Sequence, residues 1–152
     1  MKILELTEFS AGICGVWQRV KQEATLLSKN HEVHVFSTNL VRGSNKLAPK
    51  EENLVKVKIK RFPIKFKISE NAFSWDFEKD ALKLKPDVII THLYRHPHSI
   101  KALKIGKKLK CKVILVTHAP FVEKGLRNPI LEILTKLYDK FFSHINEYHK
   151  II

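Results

Sequence analysis

Short β-type runs alternate with helical patterns along almost the whole chain, and this alternation restricts the fold more than any other feature. Residues 2–7 (KILELT), 32–38 (EVHVFST), 54–61 (LVKVKIKR), 87–91 (DVIIT) and 112–117 (KVILVT) read as strands. Between the first two, Val16, Val20, Ala24 and Leu27 fall on one helical face, and Phe73, Phe77, Ala81 and Leu84 form a second such face later on. A third helix is predicted from Ser99 to Leu109. The fourth has the clearest start, with Asn128 as N-cap and Pro129 at the first helical position, followed by Ile130, Leu134, Leu137 and Phe141.

Helices set between strands imply right-handed crossovers and a parallel sheet covered on both faces. The unbroken apolar runs 88–90 and 113–116 suit central strands. The predicted fold class is therefore α/β: a doubly wound, Rossmann-like parallel sheet in strand order 3-2-1-4-5, one domain over 1–152. Residues 39–53 are expected to be a polar connection without a strong helix. The closing Lys150, Ile151 and Ile152 read as a strand just beginning, so the chain is expected to stop inside its own fold.

Composition narrows the functional classes. No apolar run approaches the roughly 20 residues that span a bilayer. The opening MKILELTE lacks the apolar stretch and cleavage site of a signal peptide. Cys14 and Cys111 offer neither a disulfide framework nor a zinc-ligand spacing, which fits a reducing compartment and a cytoplasmic location. The formal net charge of +13 suits nucleic acid, an anionic membrane surface or anionic substrates. Lysine outnumbers arginine 23 to 5, and arginine is the residue adapted to bidentate phosphate and base contacts. Specific nucleic-acid readout is not expected. Residues 56–68 (KVKIKRFPIKFKI) would give one lysine face as a strand, and the third helix adds Lys101, Lys104, Lys107, Lys108 and Lys110. Such faces are ordinarily solvated; the functional alternative is peripheral contact with the anionic inner face of a membrane.

In open α/β sheets, ligands bind beyond the carboxyl ends of the strands, where the strand order reverses. The first strand runs into Thr7, Glu8 and a loop holding two of the five glycines, Gly12 and Gly15. The fourth runs into Thr91, His92 and LYRHPH, and the fifth into Thr117, His118 and APF. In the order 3-2-1-4-5 these loops share one edge. Glycine tolerates positive φ and close approach of a ligand, and the helix that follows offers unpaired N–H groups to an anion. Spacing alone leaves open whether Gly12 and Gly15 cradle a phosphate or simply make the turn. The dinucleotide pattern G-x-G-x-x-G is absent, and so are the P-loop, G-x-S-x-G and H-E-x-x-H patterns.

His92, His96 and His98 leave a strand end without a supporting acidic or cysteine cluster, so pocket or surface roles are expected in place of a metal site. His118 stands at a strand end, where an imidazole can donate to a hydroxyl or phosphate oxygen or merely cap the strand. Cys14, near a helix N-terminus but without a base partner, reads as a packing residue.

Four motifs in order resemble the N-terminal half of the family-4 retaining glycosyltransferases. LTEFSAGICGVWQRV is similar to the family's TEFFPP-like loop followed by GGVERHV. LLSKNHEVHVF is similar to L-x-x-x-GHEV-x-V, PDVIITHLYRHP to PDVIHAHSYRHP, and KVILVTHAPF to PVVLTTHGPF. The chain departs at Cys14, where many members carry the first glycine of the pair. Trp17, Gln18 and Arg19 replace Glu, Arg and His, and Asn30 replaces a glycine.

The resemblance implies one half of a two-domain glycosyltransferase B architecture with an interdomain active site. It further implies a nucleotide-diphosphate sugar as donor substrate, a hydroxyl acceptor, no cofactor and no metal. A C-terminal domain, expected to bind most of the donor, is missing from this chain. The resemblance makes His118 the catalytic candidate and Gly12, Gly15, Arg19, His92, Tyr94, Arg95 and His96 the substrate-binding candidates. It also implies that the 152 residues alone are inactive. Two other readings of the residues are a non-catalytic α/β domain binding nucleotides or anionic surfaces, and a sugar-nucleotide epimerase of similar architecture.

Overall fold

Strand β1 (Lys2–Phe9) is buried at seven of its eight residues, as a strand covered on both faces must be. A computed structural model describes residues 1–68, 71–118 and 144–152. After β1 come α1 (Gly15–Leu27), β2 (Glu32–Thr38), β3 (Glu51–Leu54), β4 (Val57–Phe62), β5 (Ile64–Ile68) and β6 (Asn71–Trp75). They are followed by α2 (Glu78–Leu84), β7 (Val88–His92), α3 (Pro97–Leu109), β8 (Lys112–Val116), a 3-10 turn at Ile145–Glu147 and β9 (Lys150–Ile151).

Among the described residues seven strands form one sheet in the order β3-β4-β2-β1-β7-β8-β9, and β5 pairs with β6 in a separate antiparallel ribbon. The run β4-β2-β1-β7-β8 is the predicted 3-2-1-4-5, with every pair parallel. The carboxyl ends of β1, β7 and β8 therefore share one edge. Lys150 and Ile151, read as a strand beginning, do pair in parallel with Ile114 and Leu115 of β8.

Several local expectations are corrected. Residues 54–61 are not one strand, because Val55 takes φ 56 and turns the chain back, so that β3 pairs antiparallel with β4 from Leu54↔Val57 to Glu51↔Lys60. No Gly or Asn-Gly turn signal announced this hairpin. The stretch 39–53 thus supplies an edge strand, and it also holds bridges Leu40↔Leu47 and Gly12↔Arg42. Residues 56–68 break at Pro63, which has no N–H for a ladder, and β4 and β5 join different sheets. Phe73 lies on β6, so of the second helical face only Ala81 and Leu84 stand on α2. Phe77 is its N-cap residue. Helix α3 starts two residues before Ser99, at Pro97, with His96 as N-cap. The predicted helix from Asn128, and the APF segment, lie outside the described residues.

Strand alternation sorts the core into two layers. Leu4, Leu6, Ile89 and Leu115 face α2 and α3, where Phe77, Ala81, Ala102 and Leu103 meet them. Ile3, Val33, Val35, Ile90 and Val116 face α1, where Trp17, Val20 and Ala24 close the layer and Val16 and Leu27 are partly buried. Burying each Leu, Ile or Val side chain contributes roughly 1.5–3 kcal/mol.

Candidate functional site

Past the carboxyl ends of β1 and β7 lies a cleft of about 380 Å³. Thr7, Glu8 and Phe9 bring β1 to it, Cys14, Gly15 and Val16 the start of α1, Leu93 and His96 the β7–α3 loop, and Arg42 the long connection. Ile13, 95% exposed, stands at its rim.

The two loop glycines do different things. Gly12 holds φ +84, and a Cβ there would lie 2.5 Å from the Arg42 carbonyl oxygen. The Arg42 N–H donates to the Ala11 carbonyl at 3.0 Å, so Gly12 lets the loop lie against the residue that forms the cleft's cationic wall. Gly15 opens α1 with no atom of the described residues within 4 Å of where its Cβ would stand. No side chain caps Cys14, and the first turn carries no acid. The amino end of α1, with its unsatisfied N–H groups and positive dipole, therefore opens onto the cleft.

A buried arginine fixes this loop from below. Arg61 donates to Ser10 Oγ at 2.7 Å, to the Ser10 carbonyl at 2.9 Å, to the Pro49 carbonyl at 3.0 Å and to Glu52 at 2.6 Å. It thereby ties the end of β1, the long connection and the hairpin into one unit. Thr38 Oγ1 donates to the Glu8 carbonyl at 2.6 Å and adds β2 to the same unit.

The histidines sit beside the cleft and beneath it. His96 lines it, with Nδ1 3.8 Å from Glu8 Oε2, and burial lowers its pKa. His98 is fully enclosed, with Nε2 2.6 Å from the His92 carbonyl oxygen, and burial holds it well below its ordinary pKa. Ser99 Oγ donates to the Leu93 carbonyl at 2.8 Å, which completes the anchoring of this strand end. His92 is itself fully buried; its Nδ1 lies 2.8 Å from His118 Nε2 and its Nε2 3.3 Å from Glu5 Oε2. Desolvation brings the His92 pKa down to about 4. It also lowers His118, with the His92 and Arg19 charges acting in the same direction, and raises Glu5 well above the carboxylate range, reinforced by Glu23 and opposed by Arg19.

Of the residues singled out from sequence, Gly15 and His96 line the cleft. Gly12 and His118 do not line it: Gly12 bridges to Arg42 behind its wall, and His118 follows β8 at the same edge, with its Nε2 2.8 Å from His92 Nδ1. Arg19 is on the exposed side of α1, paired with Glu23 at 3.3 Å, and does not line the cleft. Tyr94 and Arg95 stack on each other, the guanidinium 5.1 Å from the ring centre, also off the cleft wall. His92 is covered and reaches the edge only through His118.

Backbone conformation sets this edge apart. Leu93 (φ 77), Arg95 (φ 68) and His118 (φ 45) are left-handed without being glycine. Lys85 and Lys110, with the same geometry, are merely helix C-caps. Strain of this kind costs about 1–3 kcal/mol per residue and gathers where the chain presents a site.

Arg42, Glu5 and Arg61 were missed from sequence. Strand alternation carried a signal for Glu5, since it shares the α1 face with Ile3 and Thr7; nothing local marked Arg42. Among the described residues the nearest approach to a metal-ligating set is Glu5, Glu23 and His92, whose donor atoms fall within 4.8 Å. His92 Nε2 already faces Glu5 and Glu23 already pairs with Arg19, so the set reads as a hydrogen-bonded cluster.

A second hollow, about 530 Å³, lies between α2 and the β3–β4 hairpin, with Lys2, Lys58, Lys60 and Lys83 around Glu51 and Asp80. Two of its lysines are matched by carboxylates, Lys60 to Asp80 at 2.5 Å and Lys58 to Glu32 at 3.3 Å, and Lys2 Nζ donates to the Leu84 carbonyl at 3.1 Å. Lys65, Lys101 and Lys107 pair with Asp76, Glu78 and Glu147. Part of the lysine pattern is thus a solvated, ion-paired surface. No helix among the described residues is long and apolar enough to cross a membrane.

The doubly wound sheet, with its cleft at the switch point, defines an α/β domain of the Rossmann-like class. A family model described as Glycosyltransferase Family 4 matches residues 13–152. The chain belongs to that family, as its motifs implied. Among curated proteins none matches the sequence. A solved structure titled "Trehalose-6-phosphate from E. coli bound with UDP-2-fluoro glucose" has a similar fold, with a TM-score of 0.50 at 14% identity. The match covers 99% of this chain and 39% of that one, so this chain spans well under half the length of that relative.

Proposed function

We propose that the chain is the acceptor-side half of a two-domain glycosyltransferase B enzyme. In this reading the enzyme moves a sugar from a nucleotide-diphosphate sugar to a hydroxyl acceptor with retention of anomeric configuration. The observation that carries the reading is the uncapped start of α1 at Gly15, set beside Arg42 in a cleft at the switch point of a family-4 chain.

Breaking the sugar–phosphate bond builds negative charge on the departing diphosphate. Helix N–H groups at Gly15 and Val16 and the Arg42 guanidinium stabilise that charge from this side, fixed in place before the reaction begins. The Glu8 carboxylate disfavours an anion at the β1 wall and keeps the diphosphate toward Arg42. His118, at the end of β8, orients the sugar or the acceptor hydroxyl through a hydrogen bond. A second domain supplies most of the nucleotide contacts, and Ile13 at the rim faces toward it. The like-folded structure whose title names UDP-2-fluoro glucose makes nucleotide sugars the class to test first.

The test is a radiolabelled transfer assay with a panel of sugar nucleotides, run on the full-length protein and on the 152 residues alone, with calorimetry for donor binding. Turnover is expected only from the full-length protein, because near-attack geometry needs donor and acceptor held together. Arg42→Ala should lower that turnover. Tight donor binding or steady turnover by the 152 residues alone would place the active site elsewhere.

A further inference from the structure

Beneath the cleft edge, on the α1 face of the sheet, three titratable side chains touch in series. Glu5 Oε2 lies 3.3 Å from His92 Nε2, and His92 Nδ1 lies 2.8 Å from His118 Nε2. Glu5 and His92 are fully buried. His118 Nδ1 has no hydrogen bond to any described residue, so one ring nitrogen is tied to the series and the other is left for a ligand. We propose that Glu5 and His92 are positioning residues, a proton-bearing chain that fixes the His118 ring and decides whether its outer nitrogen donates or accepts a hydrogen bond. The inference rests on the reading of His118 as the group that faces substrate.

The hydrogen-bond inventory allows two consistent arrangements. In the first, Glu5 is protonated and donates to His92 Nε2, His92 Nδ1–H donates to His118 Nε2, and His118 carries its proton on Nδ1. The outer nitrogen is then a donor. In the second, Glu5 is ionised, His92 Nε2–H donates to it, and His118 Nε2–H donates to His92 Nδ1. The outer nitrogen is then a lone pair. Passing from the first to the second moves one proton from Glu5 to His92, one from His92 to His118, and releases one from His118 Nδ1. Three protons become two, and the one lost leaves at the cleft edge.

Geometry selects the first arrangement. Glu5 Oε1 is buried with no hydrogen-bond partner. An uncharged carboxyl tolerates one unpartnered oxygen far better than an ionised one does. The groups that face Glu5 and His92 are Glu23 and Arg19 from α1, His118 from the end of β8, and His98 from α3 through the His92 carbonyl. Glu23 and Arg19 are themselves paired at 3.3 Å, so the nearest external charges largely offset each other. The direction of the Glu5 and His92 shifts agrees, both favouring the uncharged forms.

Nitrogen-15 spectra of the histidine rings in the full chain read the tautomer directly, with His118→Gln used for assignment. In the unmodified protein at neutral pH, His118 should carry its proton on Nδ1, and the signal should change to the Nε2–H form as Glu5 ionises in alkali. Glu5→Gln, whose amide donates to His92 Nε2 at every pH, should keep the Nδ1–H form and abolish the alkaline change. Glu5→Leu should release His118 into the tautomer mixture of a free imidazole. If Glu5→Leu does not fold, the loss of the alkaline change in Glu5→Gln still decides the matter. An Nε2–H form of His118 at neutral pH, or an alkaline change that persists in Glu5→Gln, would overturn the proposal. The spectra need no substrate, so a failed transfer assay and a failed relay are told apart.

Discussion

The two faces of the sheet differ most where the strands end. On the α2–α3 face, Leu4, Leu6, Ile89 and Leu115 give a mostly apolar layer, edged by the uncharged pair Thr91 Oγ1 and Ser99 Oγ at 2.9 Å and by one enclosed histidine, His98, bonded to the His92 carbonyl. On the α1 face the apolar Ile3, Ile90 and Val116 are each followed, two residues nearer the carboxyl edge, by Glu5, His92 and His118. One face holds the fold together. The other gives up part of its apolar core to carry titratable groups to the edge where the cleft lies. Burying such groups is unfavourable unless they are hydrogen-bonded, and these three bond to one another in sequence.

Removing the outermost member should have the largest consequence. In the two-domain enzyme proposed above, His118→Ala should lower kcat by about 10²–10³-fold, the usual effect of deleting one preorganised donor. Its melting temperature should also fall modestly, because the buried His92 Nδ1–H loses its acceptor, a cost of about 1–3 kcal/mol. A variant with unchanged kcat would detach this face from the chemistry.

Acid should break the α1 face next. His92 is held at about 4 in the folded chain, against 6.5 for an ordinary histidine. Between those values the unfolded chain binds a proton that the folded chain refuses. Stability is therefore full above pH 6.5 and falls as pH drops through the window, by roughly 3 kcal/mol at most. His98, lowered in the same sense, adds to the loss. Urea titrations from pH 7 to 4 measure it, and His92→Gln should flatten the curve; an equally steep curve in that variant would assign the loss to other groups.

Smaller effects separate the glycines. Gly12→Ala meets backbone at 2.5 Å with φ +84 and should destabilise by about 1–3 kcal/mol, whereas Gly15→Ala meets nothing within 4 Å and should leave stability within about 0.5 kcal/mol. Equal losses at both positions in denaturant titrations would remove the distinction between a loop-building and a ligand-facing glycine.

Strand order and the shared edge were legible in the sequence because they follow from alternation and handedness alone. Continuous apolar runs marked β7 and β8 as central, and the right-handed crossover rule left little choice of order. His118 and Gly15 were legible as residues at strand and helix ends. Arg42 was not, since a bridge from Gly12 across some thirty residues of chain leaves no local pattern. Nor was the β3–β4 turn, where Val55 adopts a left-handed conformation that its side chain disfavours. Glu5 was hidden differently: its strand was recognised, yet an acid in a core-facing register was passed over.

The most direct test of the account is to find where a sugar nucleotide lands. Amide chemical shifts of the full chain, titrated with UDP-glucose as the probe, detect even millimolar binding and map it residue by residue. The account predicts shifts at Gly15, Val16, Arg42, His96 and His118, on the carboxyl edge of the sheet. Shifts confined to the lysine-lined hollow at Lys2, Lys58 and Lys83, with the Gly15 edge unmoved, would contradict it.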